Sequence, residues 1–148
     1  MILEEAKELA LLHMEDKGIY KAGFRFKFEN CKATLGRCHY TTKMIALSKW
    51  YVQENEEGEI EDTILHEIAH ALAWINDRFT GHGKIWKDWA RRIGANPKRC
   101  GKRGLNKPSN HFKYSDSCGC GKTFQRHRVS KHRTYHCPKC KKSLFLSK

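Results

Sequence analysis

Apolar residues recur every three to four positions near the start of the chain, at Ile2, Leu3, Ala6, Leu9, Ala10 and Met14. That spacing predicts an amphipathic helix over residues 2–16. Early Glu side chains suit its dipole and Gly18 suits its C-terminal end. The period then changes to two. Phe24, Phe26 and Phe28 alternate with Arg25 and Lys27, which is the pattern of a strand. Residues 32–40 and 43–48 read as two more short strands, with Thr41-Thr42 as the turn between them. Residues 54–61 are acidic and contain Gly58, and they read as a loop. Asp62 is placed to cap a helix over residues 63–77. A last helix over residues 82–93 carries Ile85, Trp86, Trp89 and Ile93, with Gly94 and Pro97 closing it. Helix, three strands and two helices make the predicted class α+β.

Charge divides the chain sharply. The 148 residues carry a net charge of +13. Residues 1–97 hold 14 basic and 15 acidic side chains, whereas residues 98–148 hold 15 basic ones and only Asp116. Five of the seven Cys also fall in the last third. The stretch 98–110, with Gly101, Gly104, Pro108, Ser109 and two Asn, reads as a linker. The expected division is therefore 1–97, a linker 98–110, and a basic module 111–148. A strong positive charge points to a polyanionic partner, nucleic acid first. No apolar run approaches the roughly 18–20 residues of a membrane span. Glu4 and Glu5 stand where a signal peptide carries positive charge. The expectation is a soluble, cytoplasmic monomer without a membrane role. An odd Cys count then favours metal or free thiols over a disulfide framework.

The central helix carries His66-Glu67-Ile68-Ala69-His70, an H-E-x-x-H motif. Residues four apart lie above one another on a helix, so both imidazoles can share one ion. Glu67 sits about 100° around the helix from His66 and flanks the same place. From Ile64 to Ile75 the only polar side chains are these three. A helix apolar on every other position is a buried helix, and burying a carboxylate and two imidazoles without partners is costly. A zinc ion gives all three a role, with Glu67 as base. A catalytic zinc needs a third protein ligand. The long metzincin pattern fails, because Ala73 and Asn76 stand where it has Gly and His. A downstream Glu is excluded, because Glu67 is the last Glu in the chain. Asp77, Asp88, His82 and the C-terminal His residues remain. A straight helix would put the His82 Cα about 18 Å from that of His70. Gly81, Gly83 and the polar stretch 76–80 let the chain turn back, which favours His82 over Asp88.

These residues carry a resemblance. Leu35-Gly36-Arg37-Cys38, Ile45-Ala46-Leu47-Ser48, the segment Thr63–Ala71 around the motif, and Gly81-His82-Gly83-Lys84-Ile85-Trp86 resemble the SprT-like family, which includes the DNA–protein crosslink protease Spartan. The likeness spans about residues 1–97, and the cysteine module resembles the zinc ribbon of bacterial members. It implies a zincin-like SprT domain, with helices and a small three-stranded sheet, followed by a C-terminal zinc ribbon. It also implies that His66, His70 and His82 hold a catalytic zinc and that Glu67 is the catalytic base. The implied activity is DNA-dependent cleavage of proteins bound or crosslinked to DNA.

Cys118-Gly-Cys120 and Cys137-Pro-Lys-Cys140 are separated by 16 residues. Four thiolates around one ion make a closed structural zinc site, which would hold together a module too small for a core of its own. His136 adjoins Cys137 and competes with Cys120 as the fourth ligand. Cys31, Cys38 and Cys100 have no matching partner and are assigned no function. Between the two cysteine pairs, basic residues alternate with aromatics. Lys122, Arg126, Arg128, Lys131 and Arg133 are the expected nucleic-acid contacts, suited to single-stranded or distorted DNA. At least half of these aromatics are expected to form the ribbon's small core instead. The leading expectation is a zinc endopeptidase acting on DNA-bound proteins. The alternative is a nucleic-acid-binding regulatory protein whose zinc sites are both structural.

Overall fold

A computed structural model describes residues 1–98, 114–126 and 129–146. The chain divides into two compact units, Met1–Pro108 and Ser109–Lys148. Almost all of the expected linker, together with Cys100 and Arg128, lies outside the described residues.

Unit 1 begins with α1 (Leu3–Asp16), which buries Ala6, Ala10 and Met14. Three strands follow, β1 (Arg25–Glu29), β2 (Gly36–His39) and β3 (Met44–Ser48). Three helices come next, α2 (Lys49–Glu54), α3 (Glu57–Asp77) and α4 (Lys84–Arg92). The sheet order is β1-β3-β2, with β1 parallel and β2 antiparallel to β3. The β2–β3 hairpin turns at the expected Thr pair, and Lys43 takes the left-handed conformation at its end (φ 51°). Phe24, Ile45 and Leu47 join Ile60, Ile64 and Ile68 of α3 and the buried face of α1 in one core. A second cluster joins Leu65 and Ala69 of α3 to Trp86 and Ala90 of α4.

One helix was not anticipated and the start of another needs correction. Lys49–Glu54 forms a short helix for which no expectation was stated, and residues 57–61 are helical rather than loop. The acidic run misled because it lacks apolar periodicity. Yet Glu57 and Glu59 occupy the first turn of α3, where carboxylates are favourable, and Ile60 starts the buried i, i+4 stripe with Ile64 and Ile68. Asp62 is consequently inside the helix and caps nothing. Its Oδ1 accepts the Asn96 N–H at 3.0 Å, fastening the segment after α4 to α3.

Strand β2 is an edge strand pressed against α3. A Cβ built on Gly36 would lie 3.0 Å from Glu67 Cγ, 3.1 Å from Leu47 Cδ2 and 3.1 Å from Thr63 Cγ2. Only a residue without a side chain lets the strand come this close. The Ser48 N–H bonds the Leu35 carbonyl at 2.8 Å, so alternation of the ladder turns the backbone groups of Gly36 and Cys38 toward the free edge.

Unit 2 consists of two hairpins. Strand β4 (Tyr114–Ser117) pairs with β5 (Thr123–Arg126), and β6 (Tyr135–His136) pairs with β7 (Ser143–Leu144). Its buried apolar core is Leu144 with Cys118 and Cys137, flanked by Phe124 and Tyr135. Phe124 and Tyr135 therefore serve this core, whereas Phe145 is exposed. Asp116 links the hairpins through its Oδ2, which accepts the Phe145 N–H at 2.7 Å.

Gly36→Ala is expected to destabilise unit 1 by about 1–3 kcal/mol through overpacking. Urea unfolding followed by tryptophan fluorescence checks this, and an unchanged midpoint would contradict the tight fit.

Candidate metal centres

Helix α3 presents its polar residues to one side of a buried rod. Glu67 and His70 are each 7% exposed, among neighbours Ile64, Ile68, Ala69, Ala71 and Ala73 that are fully buried. The helix ends where Arg78 adopts the left-handed conformation (φ 52°), and the Arg78 and Phe79 N–H groups bond back to the Trp74 and Ala73 carbonyls. Gly81 (φ +97°) then reverses the chain. Gly83 makes room for a neighbouring ring. A Cβ there would lie 2.8 Å from Phe79 Cζ.

This turn returns His82 to the helix. Its Nε2 lies 3.0 Å from the Nε2 of His66 and 3.0 Å from that of His70. Trp86, fully buried on α4, sits against all three rings with centroid separations of 4.7, 5.3 and 4.6 Å to His66, His70 and His82. Its indole N–H points at the His66 carbonyl, 3.5 Å away. The rivals to His82 lie elsewhere. Asp88 pairs with Arg91 at 3.2 Å, and Asp77 accepts the Trp89 N–H at 2.8 Å.

Electrostatics prepare the site for a cation. Burial, with His82 adding to it, pulls the His66 imidazole down to about 4. Burial, with His66 and His82, pulls His70 down to about 3. Both rings are therefore neutral near pH 7, the form that ligates metals. Burial pushes the Glu67 carboxyl up to about 8, against the opposing pull of the Cys38 N–H and of Arg37. Three imidazole nitrogens aimed at one point, with a carboxyl beside them, form a donor set that fits zinc. They open into a cavity of about 510 Å³ whose walls include Leu35–Cys38 of the β2 region, Tyr40, Thr63 and Asn96.

Sequence reasoning passed over two residues here. Cys38, read as strand packing only, also lines the cavity, and burial with Glu67 nearby raises its thiol pKa. Tyr40 places its hydroxyl 3.3 Å from His70 Nδ1. No spacing signal marks either, because both reach the site through the packing of β2 on α3.

In unit 2, Cys118, Cys120, Cys137 and Cys140 form the second candidate group, with all four Sγ atoms within 4.8 Å of one another. Cys118 and Cys140 are 3.0 Å apart, and Cys120 and Cys137 are 3.6 Å apart. Each pair of the sequence sits on a tight turn. The Gly121 N–H bonds the Cys118 carbonyl, and the Lys141 N–H bonds that of Cys137. Backbone N–H groups of Cys140, chiefly, and Lys139 lower the Cys137 thiol to about 6, as a thiolate ligand requires. His136 is exposed in β6 and stands outside the group. Four sulfurs at this spacing also fit zinc. Lys122, Arg126, Lys131 and Arg133 are all exposed, and the Arg126 guanidinium lies 4.9 Å from the Tyr135 ring centre. Cys31 bonds Thr34 at 3.5 Å in unit 1, apart from both groups.

Residues 6–111 match the SprT-like family. The chain belongs to it. Among SprT-like relatives, Protein SprT of Pseudomonas paraeruginosa is 31% identical over 132 residues, covering 82% of this chain and 78% of that protein. Germ cell nuclear acidic protein of Drosophila melanogaster is 37% identical over 91 residues, covering 58% of this chain and 9% of that protein. The metallopeptidase zymogen jannalysin of Methanocaldococcus jannaschii aligns in structure with a TM-score of 0.49 at 20% identity, covering 59% of this chain and 79% of that one. Among the described residues of this SprT-like protein, no helix is long and apolar enough to cross a membrane.

His82→Ala and Cys137→Ser are each expected to lower zinc content by one ion per chain, measured by elemental analysis after loading. Only Cys137→Ser should collapse the dispersed amide signals of unit 2, because its few apolar side chains need the ion to fold. A dispersed unit 2 in the Cys137 variant would show that the module folds without it.

Proposed function

We propose that the chain is a zinc-dependent endopeptidase that cleaves proteins bound or crosslinked to DNA. The observation that carries the peptidase reading is Glu67, a buried carboxyl beside three convergent imidazoles, at a cavity that runs along the free edge of β2. Bound by His66, His70 and His82, zinc supplies Lewis acidity toward a water molecule and the scissile carbonyl. Glu67 accepts the proton of the attacking water and delivers it to the leaving amine. The Cys38 N–H holds its carboxylate in place from the side of β2. An extended peptide fits beside β2, whose edge offers backbone groups for pairing. Arg37, exposed on this strand, opposes protonation of Glu67 and favours its role as a base.

The DNA part of the reading rests on charge. Residues 98–148 carry 15 basic side chains against one acidic. Phe145 is 82% exposed in this setting and offers an apolar face to an unpaired base. A basic module of this kind concentrates the peptidase on nucleic acid, so its substrates are the proteins already there.

Glu67→Gln is expected to keep fold and zinc while lowering cleavage of a DNA-binding protein by at least about 100-fold. Fragments read by mass spectrometry, with and without single-stranded DNA, decide this. A Gln variant that cuts like the wild type would sink the peptidase reading. Reversing Lys122, Arg126, Lys131 and Arg133 to Glu should weaken DNA binding and flatten its salt dependence by about 0.7 log units per lost phosphate contact. If DNA-stimulated cleavage survives that change intact, the ribbon is not the DNA contact.

A further inference from the structure

One hydroxyl touches both segments that bring the histidines together. Tyr40 follows β2 directly, and its oxygen lies 3.3 Å from His70 Nδ1 on α3. The Gly81 N–H, in the turn that carries His82, also faces this oxygen and pulls the hydroxyl pKa down against the rise that burial causes. Its ring is fixed from the other side. It stacks on Trp74 at 6.1 Å with the planes 30° apart, and the Arg78 guanidinium lies 4.7 Å from the Trp74 ring centre. Trp74 is one turn beyond His70, and Arg78 is the residue that ends α3.

Hydrogen-bond arithmetic then sets the tautomer. A neutral imidazole has a single N–H. The Nε2 of His70 faces His82 Nε2 at 3.0 Å, within the cluster of ligand atoms. To offer a lone pair there, His70 must carry its proton on Nδ1. A hydroxyl oxygen accepts two hydrogen bonds. Tyr40 fills that capacity with the Nδ1–H of His70 and the N–H of Gly81. Both donors belong to segments that must be held in register for three Nε2 atoms to converge.

We propose that Tyr40 is a positioning residue: its hydroxyl oxygen fixes His70 in the Nδ1–H tautomer and pins the His82 turn to helix α3. This rests on the reading of His66, His70 and His82 as the metal site. Tyr40 acts through the histidines and is not itself assigned a contact with substrate. Partners of this kind set the orientation and basicity of a ligating imidazole, and their loss typically weakens metal binding about 10- to 100-fold.

The test is Tyr40→Phe in the full chain. It deletes one oxygen and leaves the ring on Trp74, so thermal unfolding should stay cooperative. Zinc affinity is measured by competition with a chromogenic chelator, using a His66→Ala, His70→Ala double variant to define zinc held elsewhere. The histidine site is expected to bind about 10- to 100-fold more weakly in the Phe variant. Long-range proton–nitrogen correlation spectra of the metal-free chain give a second readout. His70 should be an Nδ1–H tautomer in the wild type and a mixture in the variant. Equal zinc affinity and an unchanged tautomer in Tyr40→Phe would overturn this inference alone. A wild type holding no more zinc than the double variant would overturn both it and the metal reading beneath it.

Discussion

The organising constraint of unit 1 is that three polar side chains lie in a stretch of α3, residues 64–75, otherwise made of Ile, Leu, Ala and Trp. Inside a protein an unpartnered carboxyl or imidazole costs several times more than a typical surface interaction contributes. The helix therefore cannot simply be packed; its polar stripe must be met by matching groups. Three neighbours do this from three directions. Strand β2 brings the Cys38 N–H to Glu67. Helix α4 lays Trp86 against the imidazoles. The turn after α3 returns His82 to within 3.0 Å of both other rings. Two glycines permit the two closest approaches, Gly36 of β2 to α3 and Gly83 to Phe79. The same packing that satisfies the polar groups also assembles the site.

The two units solve stability in different ways. Unit 1 has an extended apolar core spanning α1, the sheet and α3. Among its described residues unit 2 buries only Leu144 with Cys118 and Cys137, beside the sulfur cluster. A module with so little buried apolar volume leaves most of its surface to charge, and its described Lys and Arg side chains are exposed accordingly. Residues 1–97 are near neutral, and most of their acidic side chains lie on α1, α2 and α3. On the proposed function, attraction of nucleic acid would fall to the small basic unit and peptide chemistry to the unit with the extended apolar core.

Much of this was legible beforehand. The His66–His70 spacing, the apolar residues around it and the two close cysteine pairs identified both donor groups, because helix periodicity and tight turns are local properties. The return of His82 was legible from Gly81 and Gly83. The start of α3 was not. Consecutive Glu residues give no apolar period, and the dipole that welcomes them becomes visible only once Ile60 is known to be buried. Asp62 showed the same ambiguity, since a good capping residue serves equally well as a mid-helix acceptor for the Asn96 N–H.

By itself the sequence determined what is local: which segment is a buried helix, which residues it turns inward, where the chain reverses, and where the charge lies. The tertiary structure decided what depends on residues far apart. It set the strand order β1-β3-β2, which makes β2 the edge beside Glu67. It brought Tyr40 to His70, across 30 residues of chain. It left His136 out of the sulfur group. Periodicity and spacing report which way a side chain faces on its own element. They do not report which element will stand opposite, because that choice is made by packing the whole core at once.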